Sequence, residues 1–190
     1  MENITDISGF VLAGGKSSRL GTDKALLIIQ NESLLARMIG LIRPHCQTLA
    51  ISGQNLDYEN FNLVMVPDLF PNCGPIAGIY SSLLYSLNDW NLIVSVDVPF
   101  LNDDLIGLLL ANIGEYDCII PTHHAGIEPL VGLYNRRILP AIKDMIDNGD
   151  YKLTRFLEIV NTRYVDCSEL LRIYPRLFMN INRIEDYRSI

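Results

Sequence analysis

Residues 10–24 read Phe-Val-Leu-Ala-Gly-Gly-Lys-Ser-Ser-Arg-Leu-Gly-Thr-Asp-Lys. The apolar segment Ile7–Leu12 runs directly into this stretch and predicts a buried strand that ends at a glycine-rich loop. Glycines let the backbone approach a ligand closely, and the loop has Gly14, Gly15 and Gly21. It also carries three cations, Lys16, Arg19 and Lys24. Backbone N–H groups and cations that converge in one loop suit the oxygens of a polyphosphate, so the stretch predicts a phosphate-binding site.

Two common phosphate-binding loops do not fit this stretch. The ATPase loop requires Gly-x4-Gly-Lys-Ser/Thr, and Phe10 occupies the position of its first glycine. The dinucleotide fingerprint requires Gly-x-Gly-x-x-Gly, which Gly14-Gly15 followed by Gly21 does not form. An ordinary surface turn is the remaining alternative, but such turns rarely carry an arginine and two lysines with so few acids. The loop therefore favours an anionic ligand without belonging to either common motif.

The overall composition is that of a folded, acidic protein. Its 190 residues are most simply one domain, residues 1–190, with 49% hydrophobic and 19% charged residues. No apolar run reaches the roughly 18 residues that a membrane span requires, and the N-terminus lacks the features of a signal peptide. We therefore expect a cytoplasmic protein that does not bind membranes. The net charge of −7 argues against nucleic-acid binding and makes the basic loop a local feature.

Cysteines and histidines show no metal-binding pattern. The cysteines lie far apart without a Cys-x-x-Cys pair, which argues against a zinc site and predicts free thiols at Cys46, Cys73, Cys118 and Cys167. No histidine has metal-ligand spacing with a nearby acid, so we interpret His45, His123 and His124 as surface residues. Neither residue type therefore indicates the function.

The order of the elements predicts an α/β fold. Strands are predicted at Ile7–Leu12, Thr48–Ile51, Leu63–Val66, Leu92–Val96, Cys118–Pro121, Pro129–Tyr134 and Arg163–Val165. Helices are predicted at Ser33–Leu41, Ile76–Leu87, Asp103–Ala111 (with Asn102 as its N-cap), Arg137–Ile146, Lys152–Val160 and Ile184–Arg188. Alternating strands and helices imply parallel crossovers and a single doubly wound, mostly parallel sheet flanked by helices.

Acidic residues follow two of the predicted strands, at the edge where open α/β sheets bind ligands. Asp97 comes directly after the buried run Leu92–Val96, where a carboxylate is costly unless it is solvated or coordinated. With phosphate oxygens and water it would suit Mg²⁺, and a turn or capping aspartate before Pro99 explains it equally well. Asp68 follows Pro67, and the residue pattern alone favours a turn acid there over a site residue.

Three motifs carry a resemblance to a known family. They are Leu-Ala-Gly-Gly-x-Ser-x-Arg-x-Gly-x-Asp-Lys at residues 12–24, Gly-Pro-Ile-Ala-Gly at 74–78 and Asp-Val-Pro-Phe-Leu at 97–101. With them the chain resembles the molybdenum cofactor guanylyltransferases from Phe10 to Asn182, more loosely after Pro121. The resemblance implies a Rossmann-like nucleotidyltransferase fold. It also implies transfer of GMP from GTP to the phosphate of molybdopterin, with release of pyrophosphate.

The resemblance further implies roles for individual residues. The implied catalytic residues are Arg19 and Lys24, which would stabilise phosphate charge, and Asp97, which would hold Mg²⁺. The implied nucleotide-binding residues are Leu12, Ala13, Gly14, Gly15, Arg19, Lys24, Ser52, Asp68 and Asp97. Asn180 and Asn182 resemble a C-terminal Asn-x-Asn on the pterin side of the family's site, whereas the residue pattern alone favours turn and helix-capping roles for both. The family usually has Asn where this chain has Ser52, and a hydroxyl cannot offer the paired donor and acceptor of an amide.

Three other functions share part of this pattern. A cytidylyltransferase for the same cofactor would use a similar loop, although such enzymes more often have Leu-Ala-Ala-Gly than the Leu-Ala-Gly-Gly found here. A sugar-phosphate nucleotidyltransferase shares the early loop, whereas a non-catalytic nucleotide or pterin carrier would not need both Lys24 and Asp97. The implied substrates are GTP and molybdopterin, the implied cofactor is Mg²⁺, and transient contacts with other cofactor-biosynthesis proteins or acceptor enzymes are expected.

Overall fold

The computed structural model describes residues 6–14 and 23–181. The strands in this part are β1 (Ile7–Leu12), β2 (Ile28–Ile29), β3 (Glu32–Ser33), β4 (Thr48–Ser52), β5 (Val64–Val66), β6 (Trp90–Ser95), β7 (Cys118–His123), β8 (Gly126–Ile127), β9 (Val131–Asn135) and β10 (Thr162–Asp166). The α-helices are α1 (Leu34–Ile42), α2 (Pro75–Tyr85), α3 (Asp103–Leu110), α4 (Leu139–Asp147), α5 (Leu153–Ile159) and α6 (Ser168–Ile173). Short 3₁₀ helices cover Lys24–Leu26, Arg43–His45, Leu56–Phe61 and Arg136–Ile138. The predicted helix Ile184–Arg188 lies outside the described residues.

The main sheet confirms the predicted fold class. Its strand order is β10-β7-β9-β6-β1-β4-β5, with β8 paired to β7. The pairs β1–β4, β1–β6, β4–β5 and β7–β10 are parallel. Helices cover both faces, because α1 and α3 belong to one hydrophobic core and α2, α4 and α5 to another.

Strand β9 departs from the expected parallel crossovers. It runs antiparallel to both of its neighbours, β6 and β7. Only residues 124–130 connect β7 to β9, and a parallel crossover needs about a dozen residues or more. The start of β9 consequently reaches the same edge of the sheet as the ends of β1 and β6.

Strand β1 lies at the centre of the sheet and is buried on both faces. Ile7 and Val11 pack into the core with α1 and α3, whereas Phe10 and Leu12 pack into the core with α2 and α4. This alternation follows from the two-residue period of a strand. A parallel strand covered by helices on both faces has no solvated side, which explains the apolar run in the sequence.

Most predicted elements are present, with ends that differ by a few residues. Asn102 caps α3 as predicted, because its side-chain oxygen accepts a hydrogen bond of 3.1 Å from the backbone N–H of Leu105. The hairpin β2–β3, the 3₁₀ helix Leu56–Phe61 and helix α6 were not predicted. Strands of two residues and helices of six have too few positions to show a hydrophobic period.

Two other expectations concern the cysteines and the length of the helices. All four cysteines are free thiols, as predicted. Within residues 6–14 and 23–181, no helix combines the length and the apolar composition that crossing a bilayer requires.

Candidate active site

The register of the three central strands creates the site. Leu12 pairs with Ser52 on β4 and with Ser95 on β6, so the three strands end at the same level. Beyond this level the Leu12 carbonyl accepts a hydrogen bond of 3.2 Å from Val96 N–H. The Ser52 carbonyl accepts bonds of 2.9 and 3.1 Å from the N–H groups of Ala13 and Gly14. The loops that follow these strands therefore leave the sheet side by side.

A cavity of about 740 Å³ opens at this edge, where ligands bind in open α/β sheets. Its walls come from the loops after four strands, from the start of α2 and from the start of β9. They are formed by Leu12, Gly14, Ser52, Gly53, Gln54, Asp68, Pro71, Asn72, Gly74, Pro75, Gly78, Ser95, Asp97 and Leu130. Five of the predicted nucleotide-binding residues are in this set: Leu12, Gly14, Ser52, Asp68 and Asp97. The cavity has the size and the mixed polarity of a small-molecule site.

Lys24 and Asp97 form an ion pair at the cavity. Lys24 Nζ lies 2.7 Å from Asp97 Oδ1, and their side chains are 11% and 32% exposed. The backbone of Asp97 is held at both groups, since its N–H donates to Ser95 Oγ (3.2 Å) and its carbonyl accepts from Ile181 N–H (2.9 Å). An aspartate that follows a buried strand thus has a cationic partner. A bound phosphate and a divalent cation would compete for these same two side chains.

Ser52, Asp68 and Gly78 also line the cavity and lie close together. Ser52 is 2% exposed, and its hydroxyl donates a long hydrogen bond (3.5 Å) to the carbonyl of Gly78. A Cβ added at Gly78 would lie 3.1 Å from Ser52 Oγ and 3.3 Å from Asp68 Oδ1, so only glycine leaves this space open. Partial desolvation raises the pKa of the Asp68 carboxyl above its ordinary value.

The remaining predicted site residues do not line the cavity or lie outside the described residues. Ala13 is buried, and its backbone N–H bonds to Ser52. Asn180 is exposed, and its amide donates to the carbonyl of Phe178 (3.4 Å). Because the next residue, Ile181, bonds to the Asp97 backbone, Asn180 lies on a segment that reaches the site. Three predicted residues lie outside the described part of the chain, Gly15, Arg19 and Asn182.

His123 is not the surface residue that we expected. Its side chain is 9% exposed, and Nε2 lies 2.9 Å from Glu128 Oε1. Its ring stacks on Phe178, with centroids 5.0 Å apart and planes 9° from parallel. The contacts arise because the turn into β9 returns Glu128 to the end of β7, which no spacing rule for metal ligands would detect. His124 is exposed, as predicted.

A second cluster near the site was not predicted at all. The Asp23 carboxylate accepts hydrogen bonds from the Tyr58 hydroxyl (2.8 Å) and from the Asn55 side-chain amide. Tyr58 is 1% exposed. The segment Leu56–Phe61 shows no helical or strand period that would indicate this burial in the sequence. The cluster lies directly beside Lys24, because Asp23 precedes it.

Comparison with known proteins identifies the family of the chain. The family model of the MobA-like NTP transferase domain matches residues 9–167. A protein of Carboxydothermus hydrogenoformans named "Probable molybdenum cofactor guanylyltransferase" is 30% identical over 192 residues, which span 100% of this chain and 96% of that protein. The molybdenum cofactor guanylyltransferase of Vibrio vulnificus is 31% identical over 184 residues, 94% of this chain and 92% of that protein.

A solved structure shares the fold. The molybdopterin-guanine dinucleotide biosynthesis protein A of Archaeoglobus fulgidus superposes with a TM-score of 0.79 at 23% identity, over 96% of this chain and 95% of that one. The family match extends from β1 past the end of β10, and so includes the strand-end loops that form the cavity. The chain therefore belongs to the family of MobA-like NTP transferase domains.

Proposed function

We propose that this protein transfers GMP from GTP to the phosphate of molybdopterin, forming molybdopterin guanine dinucleotide and pyrophosphate. The observation that carries the proposal is the Lys24–Asp97 ion pair, which joins the end of the glycine-rich segment to the end of β6 beside a 740 Å³ cavity. In the reaction a phosphate oxygen of molybdopterin attacks the α-phosphorus of GTP. The bond from that phosphorus to the oxygen bridging to the β-phosphate breaks, and pyrophosphate leaves. The attacking phosphate is already ionised, so no general base is needed.

The protein's contribution to such a reaction is positioning and charge stabilisation. Negative charge grows on the leaving pyrophosphate. Among the described residues, the Lys24 ammonium is the cation nearest to Asp97, and it can stabilise this charge. Lys24 is mostly buried, and a cation in a partly desolvated site acts more strongly on charge than one in bulk water. The Gly14 backbone lines the cavity without a side chain, which lets phosphate oxygens approach it.

The donor set of the site fits Mg²⁺. Residues 6–14 and 23–181 contain no group of three or more His, Cys, Asp or Glu side chains that could hold a metal ion by themselves. Mg²⁺ commonly binds through one or two carboxylates together with substrate phosphates and water, and Asp97 supplies a carboxylate at the cavity wall. When bound, the ion would neutralise phosphate charge and orient the triphosphate. Asp97 would hold it, and Lys24 would contact the phosphates beside it.

The wall formed by Ser52, Asp68 and Gly78 is where we place the nucleoside end of GTP. It belongs to the same cavity as Asp97 and is shaped by the missing side chain at Gly78. Asp68 offers a carboxylate acceptor, which suits the N–H donors of guanine or the hydroxyls of ribose. The names of the relatives from Carboxydothermus hydrogenoformans and Vibrio vulnificus support guanine as the base.

The proposal extends to location and partners. We infer a cytoplasmic enzyme with GTP and molybdopterin as its substrates. Since its product is a cofactor for other proteins, we also infer transient contact with other cofactor-biosynthesis proteins or with acceptor enzymes. The net charge of −7 supports small-molecule rather than nucleic-acid partners.

Release of pyrophosphate tests the reaction. The protein is mixed with molybdopterin, Mg²⁺ and either GTP, CTP or ATP, and we expect turnover with GTP. Asp97→Asn keeps the shape of the side chain but removes the charge, so we expect pyrophosphate release to fall at least about 100-fold. The control is Asp147→Asn, which removes the acidic partner of Lys143 in a surface ion pair on α4 and leaves turnover unchanged.

Other outcomes would contradict parts of the proposal. Preference for CTP would identify a cytidylyltransferase. Consumption of a sugar 1-phosphate without use of molybdopterin would identify the other acceptor class. Tight GTP binding without pyrophosphate release would identify a carrier, and undiminished turnover in Asp97→Asn would remove Asp97 from the mechanism.

A further inference from the structure

Tyr58 contacts both ends of the glycine-rich segment. Its hydroxyl oxygen lies 3.1 Å from the carbonyl oxygen of Ala13, before the segment, and 2.8 Å from Asp23 Oδ2, after it. Both partners are acceptors, so the single hydroxyl proton is shared between them. Burial, followed by the bond to Asp23, raises the pKa of the Tyr58 phenol well above its ordinary value. The group therefore remains a hydrogen-bond donor at neutral pH.

Asp23 also begins the turn that carries Lys24. It is the N-cap of the 3₁₀ helix Lys24–Leu26, and its Oδ1 accepts a hydrogen bond of 3.0 Å from Ala25 N–H. Its two carboxylate oxygens thus have different tasks: Oδ1 holds the turn, and Oδ2 contacts Tyr58 and Asn55. A shift of Asp23 would shift Lys24 with it.

Asn55 connects the same carboxylate to a second cap. Its Oδ1 accepts from Asp57 N–H (3.0 Å) and caps the 3₁₀ helix Leu56–Phe61, while its amide nitrogen donates to Asp23. This helix follows β4, the strand beside β1, and its Tyr58 ring is packed in the core. The contacts of Asp23, Asn55 and Tyr58, which we call the Asp23 bracket, therefore tie the Lys24 turn to the rigid part of the fold.

We propose that Tyr58 is a positioning residue for the nucleotidyl transfer, acting through the Asp23 bracket to hold Lys24 against Asp97 and the phosphates. This inference rests on the proposed function. Lys24 has a flexible side chain, and an ordered backbone beneath it restricts where its ammonium can go. Because misplacement of a catalytic group by about 1 Å can cost up to 100-fold in rate, loss of one bracket bond should be visible in turnover.

Tyr58→Phe removes the hydroxyl and leaves the buried ring. We expect kcat for pyrophosphate release to fall about tenfold, with KM for GTP changed less than threefold, because Lys24 acts chiefly on charge that develops in the transition state. Asn55→Ser keeps a good N-cap but loses the amide donor, and should lower kcat in the same direction by about threefold. The matched control is Ser86→Ala, which removes a buried hydroxyl bonded to Ser8 at the opposite edge of the sheet and should leave kcat unchanged.

A double-mutant cycle separates positioning from general stability. If Tyr58 acts through Lys24, then Tyr58→Phe changes kcat less than twofold in a Lys24→Ala background. A tenfold loss that persists in that background would overturn the proposal. Unchanged kcat in the single variant Tyr58→Phe would also overturn it.

Hydrogen exchange gives a readout that needs no substrate. The N–H groups of Leu26 and Leu27 donate to the carbonyls of Asp23 and Lys24 and so report on the turn. Their exchange should be at least about fivefold faster in Tyr58→Phe, and unchanged in Ser86→Ala. If the wild-type protein released no pyrophosphate, the proposed function would fail, and this measurement would still decide whether the bracket holds the turn.

Discussion

Gly78→Ala tests where the nucleotide lies. The added Cβ would be 3.1 Å from Ser52 Oγ, 3.3 Å from Asp68 Oδ1 and 3.6 Å from Leu12 Cδ2. The first two distances are tighter than ordinary van der Waals contact, so the wall must shift by a few tenths of an ångström. The methyl group and the shifted side chains would occupy the space that we assign to the nucleoside.

The expected magnitudes come from two opposing effects. Replacing Gly by Ala inside a helix stabilises it by about 1 kcal/mol, whereas overpacking costs about 1–3 kcal/mol. The free energy of unfolding should therefore change by about 0 to −2 kcal/mol. If the free energy of GTP binding is reduced by the same overpacking cost, the Kd for GTP rises by roughly 5- to 150-fold, since 1.4 kcal/mol corresponds to a factor of ten.

Gly107→Ala is the matched control. Gly107 lies on the exposed face of α3, and a Cβ there would have no atom within 4 Å. It should gain about 0.5–1 kcal/mol of stability and leave GTP affinity unchanged. Titration calorimetry with GTP and Mg²⁺, together with urea unfolding, measures both quantities. GTP affinity within twofold of wild type in Gly78→Ala would refute our placement of the nucleotide.

Three further predictions concern stability and reactivity. Asp68→Asn should raise the free energy of unfolding at pH 7, because a carboxyl whose pKa is raised in the folded state destabilises the folded protein when it ionises. Urea unfolding at several pH values should show this gain in stability shrinking as the pH falls toward the ordinary pKa of 3.8. Burial raises the pKa of Cys46 to about 12 and that of Cys167 to about 11, so few of these thiols are ionised at pH 8. Alkylation of both cysteines at pH 8, measured by mass spectrometry, should therefore be at least tenfold slower in the native protein than in the urea-unfolded protein. Asn102→Ala should lower the free energy of unfolding by about 1 kcal/mol through loss of the α3 cap, measured by the same urea titration.

Each of these has an outcome that contradicts it. For Asp68, a stability difference that does not vary with pH would show that the carboxyl is not desolvated. For the cysteines, equal alkylation rates in native and unfolded protein would show that the thiols are accessible. For Asn102, an unchanged unfolding midpoint would show that its hydrogen bond contributes nothing.

The fold class could be predicted because its signals are local. The apolar run of β1 and the helical period of α1 each report burial over consecutive residues, and their alternation implies parallel strands. The direction of β9 could not be predicted from its composition, because a strand has the same two-residue period in either orientation. The length of its connection to β7 decides the direction, and the strands predicted at Cys118–Pro121 and Pro129–Tyr134 already leave a connection too short for a parallel crossover.

The candidate site could also be predicted only in part. Motif spacing singled out Lys24 and Asp97 separately, and the comparisons confirm the family that their motifs indicated. Their ion pair depends on the register of β1 against β6, which no local pattern contains. The Asp23 bracket depends in addition on the 3₁₀ helix after β4, whose segment shows no periodic pattern.

The sequence by itself determined the fold class, the family and the two charged residues on which the proposed reaction depends. Those conclusions rest on residue types at short spacing, which local physics can interpret. Only the tertiary structure decided which side chains meet: Lys24 with Asp97, Tyr58 with Asp23, and Gly78 with Ser52 and Asp68. These contacts join segments that are distant in the chain, and they form because strand register and helix packing bring the ends of separate elements to one edge of the sheet.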